Sequence, residues 1–480
     1  MESNRRFGVR VLVMFMSRCS AVLLAIASAA NASLNATVTV ADSLARASVV
    51  LVADEPIATL YARSSAAVPL LAQLTTCEGN TSVVSRVVGR RAKLTVGTRC
   101  IRYDTSLPEL RGRRGLSDSA IATARLTDPR HWLVIGSGSQ AEMNIDFRMP
   151  AATVVSAPWQ SRRDGGFRRP RDGDRSGTPV VVFGQFPLRD IKTPLGVLRV
   201  AYLGQHEARD HDKLFAWLAA SVANVASSFD ALIVSDLQVL LFDAKSHHND
   251  SPVPFGMVTR TEAPAIRFYV DPSRSLADLT GDWTATHELA HLLMPRIKER
   301  WIGEGFATYL QHVLMASGGA WSERRVWQEM LAGFARGRAA RPELSPAQAS
   351  GQTGGRMKVY WAGAALALAA DVELRVRSNN AMSLPSAVAA YAKTEPTDSA
   401  VSAEEYLRAL DAALDTPVFM PLFESIGATP GFPDTDTLLS RLGVEQRDNA
   451  IVLNDEAELA TLRHPLAQGR ISGQSLQPES

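Results

Sequence analysis

The residues in this sequence best suited to chemistry are His287, Glu288 and His291 in the run H-E-L-A-H, and Glu304 in the run G-E-G-F-A-T-Y. Two histidines four apart on a helix project from one face, a turn apart, so both imidazoles reach a single metal ion. Zinc in a catalytic site takes three protein ligands and keeps a fourth position open for water. His287 and His291 offer two neutral nitrogens, and Glu304, separated from His291 by twelve residues, is the candidate for the third ligand. Glu288 does not bind the metal. It faces the attacking water, takes its proton, and later passes a proton to the leaving amine. A peptide carbonyl is a poor electrophile and neutral water a poor nucleophile, and one zinc ion per chain answers both difficulties. The pattern points to metal-assisted hydrolysis of peptide bonds.

Helices must hold these groups together. Asp282 or Thr284 can cap the helix that carries the histidines, and Pro295 ends it near Met294. A second helix is predicted to start at about Glu304. The short connection P-R-I-K-E-R-W-I-G folds it back so that its first turn meets the metal, with Gly303 and Gly305 permitting close backbone approach. A third helix covers 361–377. Tyr360, in V-Y-W-A-G-A, is the candidate donor to the oxyanion of the tetrahedral intermediate, because a phenol donates while staying neutral. Read without chemistry, Tyr360 is a core aromatic. His312 reads as structural, and His247 and His248, in the exposed run K-S-H-H-N-D, are assigned no role.

In this order, H-E-L-A-H, W-I-G-E-G-F-A-T-Y-L and Y-W-A-G-A resemble the gluzincin metallopeptidases, and within them the aminopeptidase N and glycyl aminopeptidase families. The resemblance covers 250–445. It implies that Glu304 is the third zinc ligand and Tyr360 the catalytic tyrosine. It also implies a β-domain followed by a thermolysin-like catalytic domain. The chain departs from the family in three places. The connection between His291 and Glu304 is shorter than in aminopeptidase N. The run P-F-G-M-V-T-R resembles the strand after the family's G-x-M-E-N signature, whose place is taken by D-S-P-V-P (250–254), without the glutamate that binds a substrate's α-amine; Glu262 is out of register. Ala362 stands where the tyrosine motif commonly has lysine. Aminopeptidase-like and altered specificity both stay open, as does a catalytically silent relative that binds peptides or protein partners.

The rest of the chain fits this frame. Its 480 residues suggest several domains, and 46% hydrophobic with 21% charged content is that of a globular protein. The expected class is α+β multidomain. A leader occupies 1–30, a β-rich, sandwich-like domain 31–195, a mainly helical catalytic domain 196–445, and a loose polar tail 446–480. The run 161–177 is expected to be a mobile surface loop. Arg5, Arg6, Arg10 and Arg18 precede or interrupt two apolar runs, and small residues follow, which is the layout of a secretory signal. The alternative is a membrane anchor over 11–30. Without 1–29, which carry +3 of the formal +2, the chain is nearly neutral, which excludes an electrostatic case for nucleic acid. The expected location is periplasmic or secreted. Removing the leader leaves Cys77 and Cys100, either a disulfide, as an exported chain permits, or two buried thiols.

Overall fold

Alternating apolar residues become sheet wherever one face can be buried. Leu34, Ala36, Val38 and Val40 are all buried in the strand Leu34–Val40, which pairs antiparallel with Arg46–Ala53 and parallel with Met143–Arg148. The computed structural model describes residues 34–469, apart from 80, 111–122, 172–176, 206–207, 233–235, 245–250, 261–262, 395–399, 415–416 and 449. The leader, His247, His248, Glu262 and the chain end beyond 469 lie outside the described residues.

The fold is mixed α and β with several sheets. A 7-stranded sheet contains these strands together with Gln160–Ser161, Phe167–Arg169, Cys100–Ser106 and Thr75–Thr76. Two 3-stranded sheets complete the N-terminal part, and a shared apolar core runs from Leu34 to Phe183. Cys77 and Cys100 form a disulfide with a Cα–Cα separation of 5.5 Å, so the bridge, not the thiol pair, is the outcome.

Next comes a 5-stranded sheet in the order Leu188–Thr193, Gly196–Tyr202, Asp236–Asp243, Pro264–Val270, Phe255–Arg260. Leu188–Thr193 precedes the expected boundary at 195 yet is hydrogen-bonded into this sheet. Leu237, Val239 and Leu241 enter the large helical core, while Leu240 and Phe242 on the opposite face meet Leu126 and Val182 of the N-terminal part. Burial on both faces explains why the inner strands Asp236–Asp243 and Pro264–Val270 read as mainly apolar runs.

Two expectations fail. Part of 161–177 is a hairpin between Gln160–Ser161 and Phe167–Arg169; Gly165 and Gly166 turn the chain at positive φ and Phe167 is buried. Polar composition hid this, since one aromatic anchor outweighs many exposed arginines. The described part of the expected tail is also ordered. Val444–Arg447 and Ala450–Leu453 form a hairpin, the helix Ala460–Ala467 follows, and Ile451, Leu466 and Ala467 join the main core. Arg463 holds them by donating to Glu323 and to the Asn454 carbonyl.

Candidate metal centre and active site

The histidines lie on the helix Thr284–His291, in which every residue from Thr284 to Ala290 is buried. Asp282 Oδ1 accepts from the Thr284 amide at 2.8 Å, as the sequence suggested. The helix stops three residues before Met294, where the amides of Leu292 and Leu293 bond back to the carbonyls of Leu289 and Ala290, and the Arg260 guanidinium donates to the carbonyls of His291 and Met294. The second helix is Arg300–Ser317, a turn earlier than expected, so Glu304 sits in its second turn. The third, Arg356–Arg377, also starts early and carries Tyr360 one turn in.

Glu304 Oε2 lies 3.5 Å from His287 Nε2 and 3.3 Å from His291 Nε2. All three ligand atoms fall within 4.8 Å of one another. Separations of about 3.3–3.5 Å are the edges of a tetrahedron whose centre lies about 2.0–2.2 Å from each corner, the range of zinc–nitrogen and zinc–oxygen bonds. Two imidazoles and a carboxylate are also the donor types zinc prefers, so the residues present fit that ion. Gln311, two turns beyond Glu304 on the same helix face, places Oε1 2.6 Å from His287 Nδ1. An amide oxygen only accepts, so Nδ1 carries a proton, and Nε2 is the nitrogen that would ligate zinc when the ion is bound. Gln311 does not stand out in the sequence, although its i+7 spacing from Glu304 is a usable signal.

Glu288 is buried, and its Oε2 accepts from the Val258 amide at 2.9 Å. Val258 belongs to the sheet-edge strand Phe255–Arg260. A Cβ added at Gly256 would lie 2.6 Å from Glu288 Cγ, so only glycine lets the strand pass this close. The segment beside Glu288 is therefore 255–260 itself, rather than 250–254. Its residues are Phe, Gly, Met, Val, Thr and Arg, with no carboxylate among them. Phe255 and Trp283 are both 41% exposed, and the Trp283 ring meets His287 edge-on at 5.6 Å.

The electrostatics follow from this crowding. Burial pushes the Glu288 carboxyl up, and the nearby His287 and His291 only partly oppose it. For Glu304 burial also works upward, but hydrogen bonds from His287 and His291 outweigh it and hold the carboxyl well below the usual range. His287 is raised: burial opposes its charge, and Glu304 and Glu288 overcome that. Tyr360 stacks on His287, with centroids 6.0 Å apart and planes 16° apart. Burial, then the charge of Glu304, to which it hydrogen-bonds, raise its phenol, so it stays a neutral donor.

Gly305 and Gly363 bring the second and third helices together. A Cβ on Gly305 would sit 2.3 Å from Gly363 Cα, and one on Gly363 would sit 1.8 Å from the Trp301 carbonyl oxygen. Gly303 meets nothing closer than 3.6 Å, so of the two glycines flanking Glu304 only Gly305 is required. His312 is buried between Trp321 and Trp361, donates from Nδ1 to the Thr308 carbonyl, and is lowered by burial to about 4. Its role is structural.

No family model matches the chain, and no curated protein matches it. In fold it is similar to an aminopeptidase N family protein from Idiomarina loihiensis, at TM-score 0.53 and 12% identity, covering 87% of this chain and 80% of that one. It is also similar to an M1 zinc metallopeptidase from Deinococcus radiodurans, at TM-score 0.45 and 13% identity, covering 84% and 93% of the two chains. At 12% identity the first likeness establishes a shared fold and leaves the chemistry to this chain's own residues.

Proposed function

We propose that this chain is a zinc-dependent peptidase, with His287, His291 and Glu304 as metal ligands, Glu288 as general base and Tyr360 as oxyanion donor. The observation that carries this reading is the convergence of three ligand atoms within 4.8 Å, on two separate helices. Zinc held there supplies Lewis acidity that activates water and polarises the scissile carbonyl. Glu288, fixed by the Val258 amide, takes the water's proton and returns one to the leaving amine. Tyr360 donates to the oxygen on which negative charge develops. Among the described residues no helix is long and apolar enough to cross a membrane. The disulfide and the leader-like N-terminus support an exported, periplasmic or secreted peptidase.

The substrate is a peptide or protein. The edge strand offers backbone groups and side chains but no carboxylate to fix a free α-amine. This favours a specificity altered from that of an aminopeptidase. Paired peptides with free and acetylated N-termini test it: the two are expected to be cleaved at similar rates. Loss of cleavage on acetylation would restore the aminopeptidase reading.

A further inference from the structure

The loop closed by the Cys77–Cys100 disulfide has a charge composition unlike the rest of the chain. It holds Arg86, Arg90, Arg91, Lys93 and Arg99 against the single acid Glu78, an excess of four positive charges in a chain of net +2. The strands Val84–Val88 and Arg91–Leu94 form a hairpin, and Thr59–Tyr61 pairs with the second of them. Register decides which side chains share a face. Arg86 lies opposite Lys93, and Val88 and Tyr61 both lie opposite Arg91. The inner face puts Leu60, Ala92 and Leu94 into the core.

The outer face lines a hollow of about 460 Å³ with Tyr61, Arg86, Val88, Arg90, Arg91 and Lys93, and no carboxylate. Among the described residues no ion pair joins any of these four cations to an acid. Like charges directly opposite one another destabilise a sheet, so a structural face would normally alternate them. The Tyr61 ring lies under Arg91, 5.2 Å from its guanidinium carbon, and is already engaged. Val88 is 56% exposed, and Val96, in the turn after the second strand, is fully exposed. One exposed valine needs no explanation. Val88 lines the same hollow as the four cations, and Val96 lies in the same disulfide-closed loop, so the loop is basic and apolar together.

We propose that this disulfide-closed face docks on an anionic phospholipid bilayer. Arg86, Arg91 and Lys93 meet lipid phosphates, and Val88 and Val96 enter the interface beside them. A soluble polyanion could use the charges but would gain nothing from the valines. The disulfide at the base of the loop holds the hairpin to the larger sheet, so the face is presented preformed.

Co-sedimentation of the full chain with phosphatidylcholine vesicles, with and without phosphatidylglycerol, tests this. Binding is expected only to the vesicles containing phosphatidylglycerol, and added salt weakens it. Each cation removed costs about five-fold in partitioning, so Arg86→Glu with Lys93→Glu lowers it by more than about 25-fold. Peptide hydrolysis and the disulfide are unchanged in that variant, which reports an intact fold. Val88→Ser, which removes the apolar contact without adding charge, also weakens binding. Absence of binding at low salt, or equal binding by the charge-reversed variant, overturns the proposal. Undiminished binding by Val88→Ser, or retention on heparin without vesicle binding, assigns the face to a soluble polyanion and overturns it as well.

Discussion

As the proposed base, Glu288 combines two properties that pull against each other: that role requires it to be ionised, yet it is buried beside the acidic Glu304. Burial and that neighbour raise its pKa above the ordinary carboxylate value. A base works only above its pKa, so activity is lost as pH falls through the raised value. The acid limb of kcat/KM is therefore expected at higher pH than a solvent-exposed glutamate would give. A limb at the ordinary carboxylate position would remove Glu288 as the base. Tyr360 is the complementary case, since its raised pKa keeps the donor proton in place through neutral pH. Tyr360→Phe should lower kcat by about 10²–10³-fold with zinc content unchanged, measured by peptide turnover alongside metal analysis. An unchanged kcat would return Tyr360 to the role of a core aromatic. Glu288 stood out in the sequence because its spacing from His287 and His291 is local to one helix, whereas Tyr360, on another helix, was singled out by its phenol and by the family resemblance. Gln311 and Val258 were not, because what places them beside His287 and Glu288 is contact between elements.

The two helices that bring Glu304 to Tyr360 approach so closely that backbone meets backbone at Gly305 and Gly363. Neither partner at that crossing is a flexible side chain end that can move aside. Gly363→Ala is expected to push the helices apart, at a cost of about 1–3 kcal/mol from overpacking. Thermal unfolding reads the stability loss, and kcat falls with it because Tyr360, one turn earlier on the same helix, moves away from Glu304. Wild-type stability and turnover in this variant would show that the crossing is looser than the structure has it. From sequence, the existence and order of these helices were readable, and their starts were misjudged by about a turn. The reason is physical: Lys358, which anchors the start of the third helix by donating to the carbonyls of Leu344 and Gly431, uses partners remote in sequence. That the strand Phe255–Arg260 runs beside Glu288 was likewise not readable. A strand's register against a distant helix leaves no periodic trace.

At the scale of the whole molecule, a β-rich N-terminal part and a sheet-and-helix part share the apolar cluster that includes Leu126, Val182, Leu240 and Phe242. The ordered C-terminal hairpin and helix close the main core, which the polar sequence there concealed. The fold likeness to an aminopeptidase N family protein spans most of both chains, yet the proposed zinc chemistry rests on a handful of side chains in this one. The direct test is hydrolysis of a peptide mixture by wild type and Glu288→Gln, compared at equal zinc content of about one ion per chain. The predicted result is hydrolysis by wild type and a loss of at least about 10²-fold in the variant with its zinc retained. Hydrolysis that persists in zinc-loaded Glu288→Gln would contradict the account.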